Sequence, residues 1–138
     1  MEFIEENKQS IKEIASYMEV ERVMCYKHRK RANKIWRMVG SGEVTDREIV
    51  LIDDIWDTGR TWGKSAGLIK EKGARSVRGF CTHQVLSGNA YENIENSELL
   101  ELVVCNTIPS KNSTPKIKVV SVAELFAVAI RNAFENKS

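Results

Sequence analysis

Cysteine and histidine are scarce in this chain, and each shortage removes a class of chemistry. The three cysteines, Cys25, Cys81 and Cys105, are widely spaced and form no CxxC pair. A disulfide framework or a zinc ribbon is therefore not expected. Cys25 and Cys105 sit in apolar runs, where a buried free thiol is the ordinary reading. That fits a reducing, cytoplasmic compartment. His28 and His83 are the only histidines, and no metal-ligand spacing relates them; His83 reads as a satisfied strand-end residue. No stretch approaches the roughly 18 apolar residues of a membrane helix. The N-terminus shows neither the basic region nor the apolar stretch of a signal peptide. A net charge of +2 implies neither nucleic acid nor an anionic membrane as a partner. Repeats, low-complexity tracts and linkers are absent too, so 138 residues are expected to form one domain spanning 1–138.

What is present reads as alternating helix and strand. Ile11, Ile14, Ala15 and Met18 recur at helical spacing and mark an amphipathic helix over about residues 8–19. Val20 to Tyr26 reads as a strand. Residues 27–47 are polar or basic without a period, a long loop of the sort that is functional or mobile. Glu48 to Asp53 holds an unbroken apolar run expected of a strand buried on both faces. A helix follows over about Thr61 to Lys72, with Trp62, Ala66 and Ile69 on one side and Gly73 as its stop. Strands are expected at Ser76–Thr82, Leu99–Asn106 and Lys116–Val120. The last helix opens on a Ser121-x-x-Glu124 capping box and is expected to bury Val122, Leu125, Phe126, Ala129 and Ala133. This alternation indicates an α/β fold with a parallel sheet.

The chemistry concentrates in Ile49-Val-Leu-Ile-Asp53-Asp54-Ile-Trp-Asp57-Thr58-Gly59-Arg60-Thr61. Ligands of parallel α/β sheets bind beyond the carboxyl ends of the strands, which places Asp53 and Asp54 at the mouth of the crevice. Adjacent carboxylates need partners when desolvated, and sugar hydroxyls or a metal ion would serve. Asp57 to Thr61 precede a helix whose free N–H groups attract an anion. Thr58 and Thr61 add hydroxyl donors, and Gly59 permits close backbone approach. Carboxylates for hydroxyls followed by donors for a phosphate describe a phosphorylated sugar, set against the plainer reading of an acidic turn with a helix cap.

Gly59 to Ser65 imitates a nucleotide P-loop, but only three residues separate Gly59 from Gly63 where four are required. The apolar strand with Asp53 and Asp54 would also have to act as Walker B strand and P-loop strand together. One strand cannot do both. The basic run Lys27-His28-Arg29-Lys30-Arg31, with Lys34 and Arg37 beyond it, has three readings: a solvated cluster, a nucleic-acid contact, or a flap over polyphosphate. The flap is favoured because strand 20–26 would end at the same sheet edge as Asp53. Cations there would neutralise charge on a transferred phosphoryl group.

At these residues the chain resembles the C-terminal half of the ribose-phosphate pyrophosphokinase (phosphoribosyl pyrophosphate synthetase) family. The matching segments are Lys27-His-Arg29, Val50 to Gly59, Cys81-Thr-His-Gln-Val-Leu-Ser-Gly-Asn-Ala90, Ile94-Glu-Asn-Ser and Glu101 to Ile108. The resemblance implies a three-layer, phosphoribosyltransferase-like (Rossmann-like) parallel sheet with flanking helices, lacking the family's upstream strands. It implies that Asp53 and Asp54 face ribose hydroxyls and that Asp57, Thr58, Gly59 and Thr61 hold the 5-phosphate. Lys27 and Arg29 would lie on a catalytic loop stabilising the diphosphoryl group that passes from ATP to ribose. Mg2+ is the cofactor the family implies.

Departures from the family pattern are equally specific. Ile4-Glu5-Glu6-Asn7 stands where a family member carries Asp-x-Gly-Gly, and Arg60 stands at a usual loop glycine, either blocking the loop or lending it a charge. The family's N-terminal half, which supplies ATP and metal contacts, has no counterpart. Two readings follow: a synthetase half active when a partner chain supplies ATP, or an inactive paralogue that regulates or assembles with a full-length synthetase. A remnant without function is a third. Ribose 5-phosphate is the expected ligand, and a homo-oligomer or a hetero-oligomer with a full-length synthetase is the expected assembly. Neither nucleic acid nor membrane is expected as a partner.

Overall fold

A computed structural model describes residues 2–4, 13, 16 and 44–136. In order, these form β1 (Glu2–Ile4), β2 (Glu48–Trp56), α1 (Arg60–Glu71), β3 (Ser76–Gln84), α2 (Ala90–Glu95), β4 (Glu101–Cys105), β5 (Ile117–Val120) and α3 (Ala123–Phe134). Glu13 and Ser16 have helical backbone, as the helix expected over 8–19 requires. The strand expected at 20–26, Cys25, Lys27, Arg29 and the loop as far as residue 43 lie outside the described residues.

The strands form one sheet in the order β1-β2-β3-β4-β5, and every neighbouring pair is parallel. The expected α/β architecture, a parallel sheet with flanking helices, is therefore present. Crossovers between parallel strands are right-handed. Because β2→β3 and β3→β4 step in the same direction, α1 and α2 fall on one face, where they touch each other. The core lies beneath them. Ile49, Leu51, Val77, Leu102 and Val104 rise from the sheet to meet Ala66, Ile69, Ala90 and Ile94.

Alternation, not burial on both faces, governs β2. Ile49 and Leu51 are buried, but Val50 and Ile52 between them are only half-buried. The reason is visible one strand away, on the face turned from α1. Arg78 bonds Glu101 at 3.0 Å and Glu48 at 3.3 Å, linking β2, β3 and β4, and Lys118 on β5 approaches Glu101 at 3.8 Å. A charged ladder on that face keeps it near water and pins the register of four strands.

β2 also runs three residues past its expected end, because Ile55 and Trp56 continue the ladder opposite His83 and Gln84. Trp56 is fully buried and stacks on Trp62 of α1, with centroids 5.4 Å apart and planes within 3°. The ring lies over Gly79, where an added Cβ would come within 2.8 Å of its Cη2 atom and 3.0 Å of Leu102 Cδ1. Helix α1 stops where expected, at Gly73 with φ of +93°, its N–H donating to Lys70 O at 2.9 Å.

Three elements depart from the sequence reading: β1 at Glu2–Ile4, where no strand is expected, α2 and α3. Helix α2 went unforeseen: six residues are too few to show a period, though Ala90 and Ile94 are fully buried at i, i+4 spacing. Helix α3 exists, but not as a buried one. Leu125, Phe126, Ala129 and Ala133 are exposed and Val122 is only half-buried. Phe134 is 88% exposed. Its cap also differs. Asn106 Oδ1 accepts from Val122 N at 2.9 Å, and Ser121 Oγ accepts from Ala123 N at 3.3 Å, with no reciprocal contact from Glu124. Among the described residues no helix is long and apolar enough to cross a membrane.

The contact at Gly79 yields a direct expectation. Gly79→Ala forces either the stacked indole pair or Leu102 to move, and overpacking of this kind costs ~1–3 kcal/mol. Urea unfolding of wild type and variant measures it, with the midpoint lowered and the slope unchanged.

Candidate functional site

The buried Trp56 and the half-buried Trp62 bracket residues 57–61, so the stack fixes both ends of the turn that carries the polar groups. Asp57, Thr58 and Thr61 are exposed, as is Arg60, while Gly59 is buried with φ of +70°. That left-handed conformation suits glycine. A Cβ there would also sit 3.4 Å from Ile94 Cγ1 and 3.5 Å from Ala90 O, because α2 backs the turn. The first helical bond of α1 runs from Gly63 N to Gly59 O at 2.9 Å. Gly59 stands at the cap position and offers no side-chain cap, and the first turn contains no acidic residue. Such a helix end carries partial positive charge.

Two contacts tie the turn to α2 and the segment before it. Ser87 Oγ donates to Asp57 Oδ1, and Asn93 Nδ2 donates to Thr58 O at 2.8 Å. Leu86 N adds a bond to Trp56 O at 3.1 Å. The sequence reading assigned no role to Ser87 or Asn93. Ser87 belongs to the Cys81–Ala90 segment already singled out by its resemblance, which was the available signal; Asn93 had none.

The structure thus brings Asp57, Thr58, Gly59, Arg60 and Thr61 onto one turn. Asp53 and Asp54 lie just upstream, inside β2 and not past its tip. As successive residues of an extended strand they project to opposite sides, Asp53 half-buried and Asp54 exposed. Asp53 Oδ1 accepts from Asp54 N at 2.9 Å. Arg60 lines a cleft between α1 and α2. Lys27 and Arg29 lie outside the described residues.

No group of three metal-ligating side chains occurs among the described residues. Magnesium, however, commonly takes one or two carboxylates and completes its shell with substrate phosphates and water. Asp53 and Asp54 are donors of that type. His83 is occupied elsewhere, its Nδ1 lying 2.8 Å from Thr107 Oγ1. Cys81 and Cys105 are buried free thiols. Cys81 pairs with Asp53 across the β2–β3 ladder. Burial, with smaller contributions from the Asp53 and Asp54 carboxylates, pushes its thiol up to about 12.

A parallel α/β domain with a glycine-started helix at the carboxyl end of a central strand has a phosphoribosyltransferase-like fold. The family model for the phosphoribosyl synthetase-associated domain matches residues 5–138, and the chain belongs to that family. It is 47% identical over 125 residues to the ribose-phosphate pyrophosphokinase of Campylobacter jejuni, covering 91% of this chain and 40% of that protein. It is 38% identical over 128 residues to ribose-phosphate pyrophosphokinase 3 of Saccharomyces cerevisiae, again covering 91% and 40%. The crystal structure of phosphoribosylpyrophosphate synthetase from Mycobacterium smegmatis superposes with a TM-score of 0.79 at 29% identity, over 99% of this chain and 45% of that one. The chain therefore spans about two fifths of the length of these curated relatives.

The raised Cys81 thiol sets a pH dependence. Its folded value exceeds the ordinary one near 9, so the unfolded chain releases this proton first. The contribution to stability is intact below pH 9 and is lost as pH climbs toward 12. Denaturant unfolding of wild type and Cys81→Ala across about pH 8–11 should show an alkaline loss in wild type that is smaller in the variant. Parallel curves would contradict it.

Proposed function

We propose that this domain binds ribose 5-phosphate, or its pyrophosphorylated product, with the 5-phosphate on the first turn of α1 and the ribose hydroxyls toward Asp53 and Asp54. One observation carries the reading: α1 opens on Gly59, which has no side chain to cap it, with no acidic residue in its first turn, at the carboxyl end of a central parallel strand. Membership of a family whose named relatives are ribose-phosphate pyrophosphokinases supports the choice of a sugar phosphate over other anions.

In this reading Gly59 brings the backbone close to the phosphate, and Thr58 and Thr61 add hydroxyl donors. Asp57 holds the turn in shape through Ser87. Because Asp53 and Asp54 project to opposite sides of β2, one carboxylate, the exposed Asp54, is the group that would hold Mg2+, whose charge would offset that of the phosphates. Lys27 and Arg29 would stabilise charge on the diphosphoryl group in transit. ATP would enter through a partner chain. Removing a whole substrate site forfeits a proximity effect worth ~7–11 kcal/mol, so turnover by the isolated chain is weak or nil.

A second reading has its own observation. The exposed Leu125, Phe126, Ile130 and Phe134 of α3 form more apolar surface than an isolated helix end needs. That favours a regulatory or assembly subunit that joins a full-length synthetase.

Calorimetric titration with ribose 5-phosphate tests the first reading. Wild type should bind, and Asp57→Ala should bind at least ~10-fold more weakly, about 1.4 kcal/mol; equal affinities would contradict the assigned site. AMP release from ATP and ribose 5-phosphate separates the two readings. Activity that appears only on mixing with an ATP-site partner, and disappears in Lys27→Ala, supports the enzyme half. A changed synthetase rate that survives Lys27→Ala supports the assembly subunit.

A further inference from the structure

Beside the 57–61 turn, on the flank of α1 that faces α2, lies an open cleft of about 430 Å³. It is lined by Gly59, Arg60, Gly63 and Lys64 on one side and by Asn93, Asn96 and Ser97 on the other. The helices come close here: a Cβ on Gly63 would lie 3.4 Å from Ser97 Cβ. Gly59 and Arg60 of the turn line the cleft, whereas Asp57, Thr58 and Thr61 do not, so it adjoins the turn on the side facing α2.

The composition of the cleft is one-sided. Arg60 and Lys64 are four residues apart and share a helix face, and no carboxylate joins them in the lining. Both are exposed. Neither forms a hydrogen bond or ion pair with a described residue, and the Asn96 side chain is likewise unengaged. Asn93 already gives its amide to Thr58 O, and Ser97 Oγ gives its proton to Ile94 O at 2.6 Å. What remains for a ligand is therefore a guanidinium, an ammonium and one side-chain amide. Two like charges at i, i+4 repel each other in the empty cleft, and a shared anion reverses the sign of that interaction. A guanidinium fork matches the paired oxygens of a phosphate, and an ammonium adds a point charge beside it.

We propose that this cleft is a second anion site, selective for a phosphate group and formed by Arg60, Lys64 and Asn96. It adjoins the turn that the sugar phosphate would occupy and shares Gly59 and Arg60 with it, while its Lys64 and Asn96 contacts do not depend on that reading. Its backing helix nevertheless holds the turn through Asn93, so the two sites share a wall.

The test is a titration of the full, isotopically labelled chain with inorganic phosphate, followed by two-dimensional amide NMR at constant ionic strength with chloride as the control. Phosphate should move the Gly63 and Lys64 backbone signals and the Asn96 side-chain amide, with an affinity that chloride does not match. Lys64→Glu should weaken the response of these signals at least tenfold, and Lys64→Gln by less. Thermal unfolding of each variant confirms that the fold persists at this exposed position. The same titration with ribose 5-phosphate identifies the source: a tighter ester points to a phosphorylated metabolite and a tighter free ion to phosphate itself, and either supports the site. Shifts that leave Gly63, Lys64 and the Asn96 amide unmoved, or an Asn96 response unchanged in Lys64→Glu, would overturn it. Failure of ribose 5-phosphate to move residues 57–61, with the Lys64-dependent response intact, would remove the sugar-phosphate reading and leave this site standing.

Discussion

The stacking of Trp56 on Trp62 over Gly79 is the contact on which the rest depends. One indole closes β2 and the other lies in the first turn of α1, so five polar residues are held between two fixed apolar anchors. Burying a tryptophan pair of this kind contributes several kcal/mol through apolar area and ring contact. Gly79 makes room for it, because any side chain at that point of β3 would displace the ring. The indole Nε1 of Trp56 is buried without a partner among the described residues, which costs about 1–3 kcal/mol. The shape of the ring is therefore retained against a polar penalty. The placement of the turn depends on that shape.

With its ends fixed, the turn opens α1 without a side-chain cap. Most helix starts recruit a serine, threonine or aspartate to cap the first N–H groups. Here the cap position is a left-handed glycine, and Asp57, the nearest carboxylate, is engaged by Ser87. Helix α2 completes the arrangement from behind, bonding Thr58 O and packing Ile94 against Gly59.

The parts of this organisation that were legible in the sequence are the local ones. The apolar run from Ile49, the Asp57–Thr61 turn and the Gly73 stop each lie within a dozen or so residues, and their chemistry does not depend on distant partners. Resemblance to ribose-phosphate pyrophosphokinases added the family, which the comparisons bear out. Long-range facts were not legible. Ser87 and Asn93 support the turn from 30 and 35 residues away, and no period or motif announces such contacts. Helix α2 is too short to show a repeat. The apolar residues of α3 gave a correct helix and an incorrect burial, since amphipathic spacing shows that a face seeks cover and not whether this chain provides it. Arg60 was open between blocking the turn and charging it. Its place in the α1–α2 cleft, beside Lys64, came only from coordinates.

The most direct test of the central claim is a crystal structure of the chain grown with ribose 5-phosphate. The account requires the phosphate within hydrogen-bonding distance of the backbone N–H groups at 60–62 and of the Thr58 or Thr61 hydroxyl. A well-ordered structure at saturating ligand with nothing bound at that turn would contradict it.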